Sequence, residues 1–173
     1  ALVLAWRTPE NLASLWRIPL DGSPPSAYEV GENAWPFSIV GHRLAYQQLV
    51  GNRKLWLASG PAAPVQETPR LFRDGSRDDQ PRYSPDGHRL AYVTYPGNTS
   101  QIWVCQHDGT GCFQLTHQGI ASNPRWSPDG ESIVFLNTQG SNDLYIVNAS
   151  GGVPRALTND LASDSTPGFS RDG

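Results

Sequence analysis

Pro81-Arg82-Tyr83-Ser84-Pro85-Asp86-Gly87 returns 43 residues later as Pro124-Arg125-Trp126-Ser127-Pro128-Asp129-Gly130, and after another 43 as Pro167-Gly168-Phe169-Ser170-Arg171-Asp172-Gly173. A weaker copy, Trp35-Pro36-Phe37-Ser38-Ile39-Val40-Gly41, stands 46 residues before the first. A fixed period of this length marks a repeat architecture. Each copy is followed by a short apolar run: Arg43-Leu44-Ala45-Tyr46, Arg89-Leu90-Ala91-Tyr92 and Ser132-Ile133-Val134-Phe135; Leu4-Ala5-Trp6 at the chain start fits the same slot. Ten or eleven residues further on stands a second aromatic, at Trp16, Trp56, Trp103 and Tyr145. A last run closes each unit, as in Phe113-Gln114-Leu115-Thr116 and Arg155-Ala156-Leu157-Thr158.

Each unit thus holds four runs of aromatic and β-branched residues split by Gly, Pro, Asn and Asp, which are strand and hairpin signals. Four strands in roughly 40–45 residues is the arithmetic of a β-propeller blade. The apolar period of 3.6 that solenoid helices need is absent. The expected fold is therefore all-β: a β-propeller of four-stranded antiparallel blades, about four of them, forming part of a larger propeller or a self-assembling half. The strands of a blade are named A to D from the inside outwards, strand A carrying the Pro-x-aromatic-Ser motif. Blade 2 is expected over 32–77, blade 3 over 78–120 and blade 4 over 121–164. Blade 1 has strands B to D over 1–31, with its strand A supplied by 165–173, from the same chain or from a second copy. An uncompleted blade would leave strand edges open to association. Ser-Pro-Asp-Gly suits the tight A–B corner, because Pro presets φ near −65° and Gly accepts φ > 0.

Composition agrees. Seventeen Gly, 15 Pro and six Trp in 173 residues, with 17% charged, suit short strands and tight turns. A net charge of −3, with Lys54 the only Lys, gives no reason to expect nucleic acid or an anionic membrane as partner. The opening run Ala1-Leu2-Val3-Leu4-Ala5-Trp6 is too short to span a bilayer and lacks a signal peptide's charged start. With no Met at all, the chain reads as a piece of a longer or processed protein.

Ser-Pro-Asp-Gly followed by Arg-Leu-Ala-Tyr, then Ile102-Trp103-Val104, then Asp108-Gly109 and Gln114-Leu115-Thr116, resembles the repeat of TolB-like, WD-repeat-like β-propellers. The resemblance runs along the whole chain and speaks for the fold more than for function. Similar blades serve a periplasmic Tol–Pal protein, stand beside the catalytic domain of prolyl-oligopeptidase-type serine peptidases, and occur in membrane-anchored bacterial regulators. An extracytoplasmic, periplasmic location follows as what the resemblance implies.

The aromatic ladder, Trp6/Tyr46/Tyr92/Phe135 with Trp16/Trp56/Trp103/Tyr145, reads as filling between blades, since aromatics bring large apolar area to such contacts. Asp86, Asp129 and Asp172 read as turn residues whose carboxylates accept nearby backbone N–H groups. The D–A loops and the starts of the A strands surround the channel mouth and carry Asp78, Asp79, Asn123 and Asp164. Their oxygens either cap the turn into the strand or converge on a ligand; calcium, which takes six to eight oxygens, is the cofactor that such a ring allows, and no other is expected. The B–C loops on that face, 7–14, 47–54, 94–101 and 137–143, differ while the strands repeat. They would present Arg53, Tyr95 and Asn142 to a partner, because variable loops on a rigid frame are where binding sits. Cys105 and Cys112 flank the Asp108-Gly109 turn. A two-residue turn would set them opposite on a hydrogen-bonded pair with Cα atoms about 5.5 Å apart, which a disulfide tolerates; a longer, bulged turn would shift the pairing by one.

No nucleophile elbow, zinc-protease helix, phosphate loop or dinucleotide fingerprint is present in the sequence, and catalytic residues are expected to be none. The function read from the sequence is a non-catalytic binding module offering loops and a central channel to a protein, peptide or glycan. The alternative is the accessory propeller of a prolyl-oligopeptidase-type serine peptidase, which gates substrates.

Overall fold

A computed structural model describes residues 2–7, 13–28, 30, 33–50, 52–61, 63, 68–73, 77–138, 141–160 and 162–173. All regular structure among them is β, and no helix is long and apolar enough to cross a membrane. The chain divides into two compact units, 1–75 and 76–173.

The first unit holds two antiparallel sheets. One has three strands in the order β1 (Leu2–Arg7), β2 (Ala13–Ile18), β3 (Ser26–Ala27). The other has four: β4 (Ala34–Val40), β5 (Arg43–Val50), β6 (Asn52–Ser59) and β7 (Arg70–Leu71). The second unit holds two four-stranded sheets, each a meander. These are β8 (Asp78–Tyr83), β9 (Arg89–Thr94), β10 (Gln101–Gln106), β11 (Phe113–Gln114), and β12 (Ile120–Trp126), β13 (Ser132–Thr138), β14 (Asn142–Asn148), β15 (Arg155–Ala156). Four short meandering strands per repeat, with the Pro-x-aromatic-Ser strand first, is the build of a propeller blade.

Burial follows the repeat. Tyr46, Tyr92 and Phe135, one per sheet on the second strand of the meander, are all but sealed from solvent. Each stands opposite the aromatic of the next strand, as Tyr46↔Trp56, Tyr92↔Trp103 and Phe135↔Tyr145. In the second unit a single core gathers Ala91, Val93, Ile102 and Val104 from one sheet with Trp126, Ile133 and Phe135 from the other. In the first unit Leu15, Ala34, Leu44 and Tyr46 do the same. Burying one such side chain contributes roughly 1.5–3 kcal/mol, so the two sheets of a unit are held face to face by their repeated apolar positions.

In the first sheet Leu4 faces Trp16, and Trp6 pairs with Ser14. Three expectations need correction. Residues 47–54 are not a loop. Gln47↔Leu55, Gln48↔Lys54 and Leu49↔Arg53 are paired, so Arg53 lies on a strand. The segment 165–173 forms its Ser-Arg-Asp-Gly turn, with the Gly173 N–H on the Ser170 carbonyl, but no strand. Strand A of the other copies pairs with the strand after its turn. Lastly, the turn after β10 is closed by the Gly109 N–H on the Gln106 carbonyl at 2.9 Å, around His107-Asp108. Cys105 and Cys112 still face each other, because the register Trp103↔Gln114, Val104↔Phe113 carries on to them. Leu115 donates to the Ile102 carbonyl, and alternation from that bonded pair makes 105/112 a non-hydrogen-bonded pair, the closer kind. The two cysteines are joined as a disulfide with Cα atoms 4.0 Å apart.

Candidate functional site

The Ser-Pro-Asp-Gly turn uses its own polar atoms. The Ser84 hydroxyl donates to Asp86 Oδ1 at 2.5 Å and accepts from the Arg89 N–H, while the His88 N–H donates to the same carboxylate oxygen. Ser127, Asp129, Ser132 and Glu131 repeat the pattern atom for atom. The serine hydrogen bond holds the carboxyls of Asp86, Asp129 and Asp172 below their ordinary range. The Leu-Thr ends of the two sheets in the second unit are also self-satisfied. Thr116 Oγ1 accepts from the Ile102 N–H and donates to Gln101 Oε1; Thr158 Oγ1 accepts from the Leu144 N–H and donates to Asp164 Oδ2.

The candidate residues from the sequence fall in several environments. Asp78 and Asp79, at the start of β8, are 2% and 3% exposed, and an Asp79 oxygen accepts the Gln80 N–H at 2.7 Å. Asn123, on β12, has φ of 53° and gives its N–H to Gln80 Oε1 at 2.6 Å. Asp164 and Asn142 are brought together: the Asp164 N–H donates to the Asn142 carbonyl, and Asn142 Nδ2 to Ser163 Oγ. Tyr95 is half-buried beneath the Arg77 guanidinium, 4.4 Å from its ring centre. Arg53 is half-buried on β6 in the first unit. Among the described residues, no group of three or more His, Cys, Asp or Glu is placed to hold a metal ion.

Sequence reasoning passed over the residues between the motif proline and the aromatic. Arg82 and Arg125 occupy this slot on β8 and β12. Each bends back to donate Nη1 to the carbonyl of the proline before it, Pro81 and Pro124, at 3.0 Å in both cases. Both strands bulge just ahead of them: the register steps from Asp79↔Val93 to Arg82↔Ala91 and from Ser122↔Leu136 to Arg125↔Val134. Gln80 and Asn123 absorb the extra residue with φ of 52° and 53°. Burial lowers Arg82 to about 10, with the like charge of Arg125 adding to the shift and Asp79 opposing it. Burial lowers Arg125 as well. The signal that would have found them is Arg in both complete motif copies.

The two sheets of this unit are clamped beside that pair. Trp126 Nε1 donates to the Arg82 carbonyl at 2.8 Å, the Arg89 guanidinium lies 4.7 Å over the Trp126 ring, and Arg89 Nη2 donates to the Gly130 carbonyl at 2.6 Å.

Meander sheets built on one repeat, with the repeated polar groups engaged in their own turns and strands, define a β-propeller scaffold. The chain belongs to the TolB β-propeller domain family, whose pattern matches residues 76–173. A TolB homolog from Chlorobium luteolum is 30% identical over 104 residues, covering 60% of this chain. The chain thus spans only 24% of that relative's length. Among solved structures, a putative TolB from Agrobacterium tumefaciens superposes with a TM-score of 0.77 at 18% identity, covering 90% of this chain and 60% of that one. An acylaminoacyl peptidase from Pyrococcus horikoshii superposes with a TM-score of 0.61 at 16% identity, covering 92% of this chain and 30% of the peptidase.

Proposed function

We propose that this chain is a non-catalytic binding module, which holds a protein or peptide partner against the B–C end of its blades in an extracytoplasmic, periplasmic compartment. The observation that carries the reading is the contrast between repeat and non-repeat. Ser84, Asp86, Thr116 and their counterparts are taken up by internal hydrogen bonds. The Pro96-Gly97-Asn98-Thr99 connection is exposed and has no copy in the other sheets. Such loops on a rigid frame are free to vary for a partner. The Cys105–Cys112 disulfide suits an oxidising compartment.

The test is site-specific photo-crosslinking in periplasmic extract from position 98, with position 150 on an exposed C–D turn as control. A discrete protein adduct from 98 and none from 150 is expected; equal labelling from both sinks the reading. A second reading, the accessory propeller of a serine peptidase, rests on the fold likeness to the acylaminoacyl peptidase. A Gly-x-Ser-x-Gly hydrolase sequence flanking this chain in its gene would favour it.

A further inference from the structure

We propose that Asn137 and Asp143 hold a primary ammonium group of a peptide partner, a lysine side chain or a chain N-terminus, at the B–C end of the last sheet. This rests on the binding-module reading and names the chemistry of what is bound. Asn137 on β13 and Asp143 on β14 are direct cross-strand partners, one rung inside the Thr138↔Asn142 rung where the hairpin ends. Opposed side chains of a strand pair lie on one face, with Cβ atoms roughly 4.5–5.5 Å apart. Alternation puts both on the face of Phe135 and Tyr145, which is turned to the neighbouring sheet. Asn137 is 6% exposed, and its Oδ1 and Asp143 Oδ1 are both buried without a hydrogen-bond partner among the described residues. The other Asp143 oxygen, Oδ2, accepts the Ser141 hydroxyl at 2.8 Å.

The neighbouring sheet shows how the repeat satisfies this rung. There the pair is Thr94↔Gln101; Gln101 Oε1 accepts the Thr116 hydroxyl, and its Nε2 donates to the Gly119 carbonyl. In the last sheet Thr158 gives its hydroxyl to Asp164 Oδ2 instead, and a carboxylate at 143 has no donor of its own. The first strand adds only the methyl group of Ala121 to the rung, where β8 adds Asp78. Acceptors buried without donors cost free energy, most of all on a carboxylate. A ligand that brings donors and positive charge removes that cost. Each side chain offers one oxygen, so the two-oxygen match that favours a guanidinium fork is missing, whereas the three hydrogens of an ammonium can meet separate oxygens. The rung also lies beside the variable loop. The Ala121 N–H donates to the Ser100 carbonyl at 2.9 Å, at the foot of the exposed 96–99 connection. A lysine stem from a partner held there has a short way to go.

The probe is a blocked glycine peptide carrying one lysine, compared with its norleucine counterpart and with an all-glycine peptide bearing a free N-terminus. Binding is followed by fluorescence anisotropy and by the Asn137 side-chain amide signals in 15N NMR spectra of the 173-residue chain. The lysine peptide is expected to bind, to weaken with salt and to shift the Asn137 amide; the norleucine peptide is expected to do none of these. The same shift from the free N-terminus would assign a chain-end amine to the site as well. Asp143→Asn can still accept the Ser141 hydroxyl but loses the charge. It should weaken lysine-peptide binding about tenfold or more, the scale of a lost charge-assisted hydrogen bond. Its melting temperature without peptide should be unchanged or raised, because the new amide can donate to Asn137 Oδ1 and no charge is left buried. A variant that melts lower or fails to fold would show the carboxylate already satisfied within the chain, and overturns the proposal. Equal affinity for the lysine and norleucine peptides, no detectable binding of either, or an unmoved Asn137 signal overturns it too, leaving a rung satisfied by water alone. A position-98 adduct formed while the Asn137 signal stays still would leave the binding module standing and remove only the ammonium site.

Discussion

At the scale of the residue, the motif aspartates make a chemical statement about stability. Asp86 and Asp129 each accept a serine hydroxyl and a backbone N–H, and the serine bond is the main cause that depresses their pKa below the ordinary 3.8. A carboxyl whose folded pKa lies below its unfolded one stabilises the fold above the unfolded value, and that contribution is lost as pH falls through the folded pKa. The melting temperature is therefore expected to hold from neutral pH to about 5 and to fall below about 4. In the double variant Asp86→Asn, Asp129→Asn the protein should be less stable at pH 6 and its acid slope shallower. Both carboxylates are exposed, so solvent screening keeps the effect small. Thermal melts at pH 6, 4 and 3 check this; an unchanged slope in the variant would show that other groups govern acid unfolding.

At the scale of the element, the inner strands β8 and β12 are shaped by their bulges. Left-handed backbone costs an L-residue roughly 1–2 kcal/mol, and glycine escapes the cost. Asn123 is the clean position, because the hydrogen bond it gives to Gln80 comes from its backbone N–H and survives any substitution but proline. Asn123→Gly should leave stability unchanged or raise it slightly, whereas Asn123→Val should lower it by about 1–2 kcal/mol or more. Urea unfolding of the three proteins measures the difference, and a valine variant as stable as the parent would refute the role given to the bulge. Much about these strands was legible beforehand. Pro-x-aromatic-Ser announced a strand ending in a tight turn, and the buried Tyr83 and Trp126 follow from period-two alternation. The bulge was not legible, because only the partner strand reveals that three residues span two.

At the scale of the whole molecule, the three-stranded sheet is the one that differs. β1 pairs with β2 on one side and, among the described residues, with no strand on the other, and Leu2 beside that edge is 56% exposed. An unpaired edge with apolar residues is a template for another strand. The 173-residue chain is therefore expected to associate as concentration rises, and light scattering from micromolar to near-millimolar protein should detect it. A monomer that persists across that range would count against strand completion by a second copy.

The sequence by itself determined the class of fold, the turn chemistry and the buried positions. A 43-residue period, two residue types per turn and alternating apolar runs are local properties, and local sterics and hydrophobicity fix what they mean. Tertiary structure decided what depends on which strand lies beside which. It set Leu4 against Trp16, made 47–54 a paired hairpin, and brought Cys105 and Cys112 together on the closer kind of strand pair. It buried Asp78 and Asp79, which the sequence had offered to a ligand, and tied β12 to β8 through Trp126 Nε1 on the Arg82 carbonyl, 44 residues away in the chain. Hairpin register turns on a single residue of loop length, and the environment of a charge on the company its neighbours keep. Neither is written in the spacing of one strand.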